Sequence, residues 1–159
     1  MSRFLKDVNT NLTNPIDLGA QGAFPNIYYR TIITLAKDPN IDAIVFVKDP
    51  ERFGKLEEIV IGKLGFKKGM NLNRAFIRYI GKAKRISKKP LICIMLKINE
   101  GFEEYKSRYN FKLKLLNRNV PVFENFELAG KILNHLNTYR EFLQKYDKYP
   151  KNNKSSPSS

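Results

Sequence analysis

The residues whose types and spacing most favour chemistry are four cations on one predicted helix. They recur at i, i+4, i+8 and i+11, and they are Arg74, Arg78, Lys82 and Arg85. With 3.6 residues per helical turn they form one stripe. Like charges four residues apart cost a helix a few tenths of a kcal/mol per pair. The stripe is therefore expected to be more stable beside anions, such as phosphates, nucleic acid or an acidic protein surface.

The same stripe has a simpler interpretation as a solvated face of a lysine-rich chain. The chain carries 29 Lys and Arg against 15 Asp and Glu, a formal net charge of +14, and no acidic residue lies between Glu58 and Glu100. Such a charge bears on partners rather than on fold. Phe66 is the only aromatic residue among the basic residues of the preceding loop, while Phe76 and Tyr79 fall on the apolar side of the helix. A platform for stacking bases is not expected, so nucleic acid is the weakest candidate anion.

A second candidate site is the loop from Asn14 to Gly22, with Asp17 and Gly19 between them. It is predicted to lie where a strand end meets a helix N-terminus, and backbone N–H groups there can hold a phosphate or a carboxylate. Asp17 would orient the loop. The alternative is a purely structural turn in which Asp17 accepts backbone hydrogen bonds.

Other reactive residue types offer little. His135 is the only histidine and lies inside the predicted final helix, so no catalytic role is expected for it. Cys93 is the only cysteine, so no internal disulfide is possible, and its apolar neighbours predict a small buried side chain. No cluster has metal-ligand spacing, and no Gly-x-Ser-x-Gly nucleophile motif occurs. Tyr105, Tyr109 and Phe111 are expected to pack against a sheet.

The elements that must position these residues alternate between strands and helices. Strands are predicted at 42–47, buried on both faces, at 90–96 and at 120–123; helices are predicted at 27–37, 51–63, 72–87, 100–117 and from 126 to about 146. This alternation predicts an α/β fold with three layers and a small parallel sheet. Residues 1–13 are interpreted as an N-terminal extension, 14–148 as the folded domain, and 149–159 as a disordered basic, serine-rich tail.

The setting predicted for this chain is the cytoplasm. No apolar stretch approaches the roughly 20 residues needed to span a bilayer, and the first residues do not resemble a signal peptide. A single cysteine fits a reducing compartment. No membrane association is expected.

Three blocks, taken together, carry a resemblance to a known family. They are Asn14–Gly19, Asp38–Val47 and Val120–Ala129, the last preceded by Lys89-Pro90 at the start of a strand. In this order they resemble the flavodoxin-like domain of ADP-forming acyl-CoA synthetases and succinyl-CoA ligases. The resemblance covers most of the chain from Asn14 to Leu143.

The resemblance implies a parallel sheet flanked by helices that packs against CoA-binding and ATP-grasp domains. The family joins a carboxylic acid to CoA at the expense of ATP, through a phosphorylated histidine that carries phosphate between sites. In the similar enzymes, the loop corresponding to Asn14–Gly22 lies near a domain interface and that histidine. CoA and ATP or ADP would be bound through partner domains, and no tightly bound cofactor is expected in this chain.

The sequence also departs from the family pattern. A glycine-rich CoA loop and an ATP-grasp domain are missing from these 159 residues, and His135 lacks the loop that carries the phosphohistidine. Lys48-Asp49-Pro50-Glu51-Arg52 stands where relatives often have small residues. The sequence therefore predicts a domain or small subunit of a synthetase that acts only with partners. The alternatives are a catalytically silent interaction module of the same fold, and a polyanion or nucleic-acid binder that uses the basic helix 72–89.

Overall fold

The computed structural model describes residues 10–51 and 71–146. The chain forms two compact units, Met1–Asn125 and Phe126–Ser159. Two sequence predictions fall largely or wholly outside the described residues, the helix at 51–63 and the tail at 149–159, and so does Phe66 of the predicted basic loop. The first nine residues of the predicted extension lie outside them as well.

Three parallel strands form the sheet of the first unit. They are β1 (Ile44–Lys48), β2 (Leu91–Met95) and β3 (Val122–Phe123), in the order β1-β2-β3. Ile44 lies opposite Leu91, and Cys93 lies opposite Val122. Strands alternate with helices along the chain, so the predicted α/β class with a small parallel sheet is confirmed. The arrangement is consistent with a flavodoxin-like three-layer fold.

Each predicted helix in the described ranges is present. The first unit contains α1 (Pro25–Lys37), α2 (Leu72–Ile86) and α3 (Phe102–Leu116), and the second contains α4 (Phe126–Tyr146). Pro25 stands at the start of α1, where its missing N–H costs nothing. Asn71 caps α2, since its Oδ1 accepts the Arg74 backbone N–H at 2.6 Å. Asn119 follows α3 with φ 57°, the left-handed conformation that commonly ends a helix.

The core lies between α1, α2 and α3 and one face of the sheet. Alternate residues of β1 and β2 point into it, among them Phe46 and Cys93. Phe76 of α2 is fully buried near the centre of the core. Its ring centroid lies 4.9 Å from that of Tyr28, 6.0 Å from that of Phe46 and 6.1 Å from that of Phe111. Burying a phenylalanine of this kind stabilises the fold by about 2–3 kcal/mol, so these rings hold the three helices to the sheet.

The prediction that the first strand is buried on both faces is wrong for β1. Val45 and Val47 are 40% and 36% exposed, whereas Ile44, Phe46 and Lys48 are buried. In contrast, β2 is buried at all five positions. β1 stands at the edge of the described sheet, next to β2 alone. A continuous β-branched run does not reveal whether a strand is central or at an edge.

The packing predicted for two tyrosines of α3 is also wrong. Tyr105 and Tyr109 are 57% and 49% exposed and stack on each other with centroids 6.2 Å apart, while Phe111 is buried as predicted. The helix carries apolar residues on two faces, and the face with Phe111 and Leu115 is the one in the core. The exposed face carries a row of five side chains, hereafter the α3 apolar row: Phe102, Tyr105, Tyr109, Leu113 and Leu116. Ile86, the last residue of α2, is exposed too.

The second unit, within the described residues, is the helix α4. Glu127 and Lys131 form an i, i+4 ion pair of 2.6 Å, and the rings of Phe142 and Tyr146 stack with centroids 6.0 Å apart. Most of its large apolar side chains are exposed. Neither α4 nor any other helix in the described ranges combines the length and apolar character that crossing a membrane requires.

Candidate functional site

The four cations predicted to form a stripe lie on the exposed face of α2. Arg74, Arg78, Lys82 and Arg85 are all exposed, whereas Phe76, Ile80 and Ala83 on the opposite side are fully buried. In the part of the chain that the structure describes, none of the four forms an ion pair. Among the described residues, their charge is therefore directed to solvent rather than paired with a carboxylate.

Two partly buried tyrosines lie beside this stripe. Tyr79 is only half-buried and pairs with Tyr29 of α1, with ring centroids 5.6 Å apart. The Arg78 guanidinium carbon lies 5.5 Å from the Tyr79 centroid, and the Lys82 Nζ lies 5.1 Å from that of Tyr29. Such cation–π contacts are worth about 0.5–1 kcal/mol at exposed sites. They hold both cations at the aromatic pair.

A fifth cation, Arg118, joins the stripe from another element. A Cβ placed on Gly81 would lie 2.7 Å from the Arg118 Cδ and 2.9 Å from its Nε. The arginine side chain therefore lies directly over Gly81. Around the helix axis, Gly81 lies next to the stripe that contains Arg78 and Arg85. The Arg118 Nη1 donates to the Lys114 carbonyl at 2.8 Å, so the side chain is also held at its tip.

The loop from Asn14 to Gly22 is a compact turn. Asn11 and Asp17 exchange two backbone hydrogen bonds of 2.9 and 2.8 Å, and the Asn14–Pro15 peptide bond is cis. The Asp17 Oδ1 accepts the Gly19 backbone N–H at 2.8 Å, and Gly19 has φ 53°, a conformation that favours glycine. A short 3-10 helix, Gly19–Ala23, then leads to α1. Asp17 thus makes the backbone bond expected of a structural turn.

A buried ion pair, hereafter the sheet-edge clamp, lies beyond the carboxyl end of β1. The Arg108 Nη1 of α3 donates to the Glu51 carboxylate and to the Asn99 carbonyl, the latter at 2.7 Å. The Asn99 amide donates to the same carboxylate at 3.0 Å. The side chains of Arg108 and Glu51 are 10% and 3% exposed. The clamp joins the segment after β1, the segment after β2, and α3.

Lys48 ends β1 inside the protein. It is 2% exposed, and its Nζ lies 4.3 Å from the centroid of Phe76. Burial lowers the pKa of Lys48 from 10.5 to about 6, although Asp49 and Cys93 act in the opposite direction. At neutral pH the amine is therefore uncharged. The carboxyl end of a parallel strand is where α/β proteins bind ligands, but an amine so covered is not accessible to one.

Two further buried groups are poor acids. Burial raises the pKa of Cys93 to about 12, so its thiol is protonated and unreactive at neutral pH. Burial, followed by the charges of Cys93 and Asp17, raises the pKa of Tyr28 to about 12. The Tyr28 hydroxyl donates to the Val47 carbonyl at 2.9 Å. Both side chains stabilise the core rather than perform chemistry.

His135 lies on α4 and is exposed. Within the described ranges, no group of three or more His, Cys, Asp or Glu side chains is close enough to hold a metal ion. Lys89, another member of the basic stretch, directs its Nζ to the carbonyls of Leu35 and Asp38 at the end of α1. This position suits a cation, because a helix C-terminus carries partial negative charge.

Sequence reasoning missed three parts of this geometry: the place of Arg118, the clamp, and the buried amine of Lys48. Arg118 comes from a different element, so helical periodicity could not include it. The sequence did contain one indication of this contact. Gly81 lies inside a well-patterned helix, where glycine lowers helix stability, so it indicates a position where another part of the chain comes close to the helix backbone. Glu51 and Arg108 are 57 residues apart, and no local pattern links them.

Comparisons of the chain with models of protein families, with curated proteins and with solved structures found no match.

Proposed function

We propose that this chain is a domain or small subunit of an ADP-forming acyl-CoA synthetase, acting together with CoA-binding and ATP-grasp partners. The observation that carries the proposal is the place of the three resembling blocks in the fold. Asn14–Gly19 forms the turn that precedes α1, Asp38–Val47 ends in β1, and Val120–Ala129 contains β3 and the start of α4. Along the chain the blocks thus supply a turn before a helix, a strand, and a strand followed by a helix.

The described residues favour a supporting role over a catalytic one. Cys93 and Lys48 are buried, and His135 is an exposed residue in the middle of a helix. Carboxylate activation and phosphate transfer would therefore depend on residues of the partners. The chain would contribute surfaces that hold those partners in place.

The α3 apolar row supports dependence on partners. Phe102, Tyr105 and Tyr109 are 74%, 57% and 49% exposed, and they continue along the helix with Leu113 and Leu116. Contiguous apolar surface of this kind marks interaction sites in soluble proteins. We assign this row to contact with the CoA-binding or ATP-grasp partner.

The test is reconstitution. The chain is purified together with CoA-binding and ATP-grasp polypeptides of the same cell, and acyl-CoA formation is measured with CoA, ATP and a panel of short carboxylic acids. Acyl-CoA and ADP are expected only when all components are present. Turnover by the partners at the same rate without this chain would overturn the proposal.

The α3 apolar row also favours a second candidate, a catalytically silent interaction module. The two are separated by Asp17→Asn, which keeps the Oδ1 acceptor for the Gly19 N–H but removes the charge. A synthetase subunit with a working loop is expected to lose turnover in this variant while the complex stays intact. An interaction module is expected to keep both. Tyr105→Ser with Tyr109→Ser should weaken the complex in either case, with Lys114→Gln, an exposed residue on another face of the same helix, as the control.

A further inference from the structure

The exposed face of α2 is a cationic surface with two tyrosines at its edge. It comprises five cations and two tyrosines, hereafter the α2 basic face: Arg74, Arg78, Lys82, Arg85, Arg118, Tyr29 and Tyr79. Four of the cations are arginines, which stay charged at every physiological pH. Three of the side chains are held in place, Arg78 and Lys82 by tyrosine rings and Arg118 by the Lys114 carbonyl.

The way Arg118 joins this face goes beyond the general excess of lysine. Glycine costs an α-helix about 1 kcal/mol relative to alanine, yet Gly81 stands inside α2 where the Arg118 side chain crosses the helix, and a Cβ there would push the flexible end of Arg118 aside. The gap at Gly81 concentrates a fifth charge where four already repel one another.

The dimensions of the face fit a nucleic-acid strand. From Arg74 to Arg85 the helix rises about 16 Å. A strand of the double helix places one phosphate every 3.4 Å or so along the axis, and an unstacked single strand spaces them more widely. The face therefore spans about three to five phosphates, one for each cation at most.

The surroundings of the face favour a single strand over the other polyanions. Arg78 and Lys82 lie over the partly buried rings of Tyr79 and Tyr29, so a base that stacks on either ring moves the cation aside toward a phosphate. Guanidinium planes stack on bases as well. α1 packs alongside α2 through this tyrosine pair, so α2 does not stand clear of its neighbours as a helix in a major groove must. A membrane surface would require an apolar face to insert, whereas the apolar face of α2 is buried in the core.

We infer that the α2 basic face binds single-stranded nucleic acid, with backbone phosphates on the five cations and bases against the tyrosine pair. Base sequence is not read by such contacts, so binding is expected to be tolerant of sequence. This binding would be independent of the proposed synthetase role, since it requires neither CoA nor partner polypeptides.

The experiment measures fluorescence anisotropy of labelled single-stranded RNA and DNA of about 12 nucleotides, a length within the usual site range of roughly 4–16. Affinity is recorded against salt concentration. If all five cations contact phosphates, the slope of log K against log salt should be about −3.5, and each removed cation should reduce it by about 0.7. Arg78→Gln and Arg118→Gln test this, with Lys106→Gln as the matched loss of one exposed charge elsewhere.

Two variants test whether binding depends on the arrangement of the side chains or only on the net positive charge. Gly81→Ala leaves the net charge unchanged but displaces Arg118, so affinity should fall several-fold while thermal stability is kept or raised. Tyr79→Leu should weaken binding about five-fold or more with little change in slope, because stacking is lost and charge is not.

Competitors decide the identity of the ligand. Duplex DNA of equal length, heparin, a poly-glutamate peptide and vesicles containing anionic lipid are each added to the single-strand complex. Weaker competition by all four supports the inference. It is overturned if any of them binds as tightly, if Gly81→Ala and Tyr79→Leu both bind like the original chain, or if no binding is detected at about 0.15 M salt.

Discussion

The α2 basic face and the sheet-edge clamp use arginine in opposite ways. Arg78 is exposed, rests on the Tyr79 ring and has no carboxylate partner among the described residues. Arg108 has a side chain only 10% exposed and is bonded to the Glu51 carboxylate and the Asn99 carbonyl. The first arrangement leaves positive charge available to a ligand, and the second neutralises it inside the protein.

The difference separates charges that stabilise the fold, which are buried and paired, from charges that are available to bind a ligand, which are exposed and unpaired. An exposed charge is hydrated, so its pairing contributes little to folding and its repulsion of neighbours costs little. A buried charge has lost its water, so each missing partner is costly. Stability and ligand affinity should therefore respond to different arginines of this one chain.

The largest expected effect is at the clamp. Arg108→Ala would leave the Glu51 carboxylate buried without its cation, and breaking a buried pair in this way typically costs about 3–5 kcal/mol. Arg78→Ala, a matched change at an exposed site, should alter the free energy of unfolding by no more than about 0.5 kcal/mol. Urea denaturation of the two variants measures both values.

A second substitution sharpens the same result. Arg108→Met with Glu51→Leu removes both charges and keeps apolar volume, so the double variant should recover most of the stability lost in Arg108→Ala. If Arg108→Ala lowers the free energy of unfolding by less than about 1 kcal/mol, the ion pair does not hold together the segments after β1 and β2. The buried Arg108 and the exposed Arg78 would then contribute equally little to stability.

These two regions also differ in how far the sequence could predict them. The stripe follows from a local period of 3.6 residues, so the sequence alone was enough to place Arg74, Arg78, Lys82 and Arg85 on one face. The strands and helices followed from similar local patterns. The clamp depends on contacts between residues 57 apart, and the positions of Arg118, Val45 and Tyr105 depend on which face a neighbour covers. Local patterns contain no information on those contacts.

A smaller effect on stability is expected at Lys48. Unlike Arg108, which keeps its charge, this buried side chain loses its proton. Its pKa is lowered by burial to about 6 in the folded chain, against 10.5 when exposed. Between these values the unfolded state binds one more proton, so the folded state gains stability as pH rises, by about 1.4 kcal/mol per pH unit. The gain is lost as pH falls towards 6.

Lys48→Met keeps an unbranched apolar side chain and removes the titration. We expect it to be more stable than the original chain at pH 7 and to lose the rise of stability between pH 7 and 9. Above pH 9 the raised pKa values of Cys93 and Tyr28 act with the opposite sign, so the comparison is confined to that window. Chemical denaturation at several pH values measures the slopes, and equal slopes in both proteins would mean that Lys48 keeps its charge in the fold.

The smallest effect is expected on the α2 basic face itself. Arg78→Gln removes two repulsive i, i+4 contacts, with Arg74 and Lys82, and loses one weak contact with Tyr79, so the net change should be a few tenths of a kcal/mol. Repulsion between exposed charges is screened when the Debye length falls from about 10 Å at 0.1 M salt to about 3 Å at 1 M. Any stabilisation by Arg78→Gln at low salt should therefore vanish at 1 M, as thermal denaturation at the two salt concentrations would reveal. A stabilisation that persists at 1 M salt would mean that Arg78→Gln improves packing. The cations of the α2 basic face would then not repel one another measurably, and relief of that repulsion would not contribute to the binding of an anion.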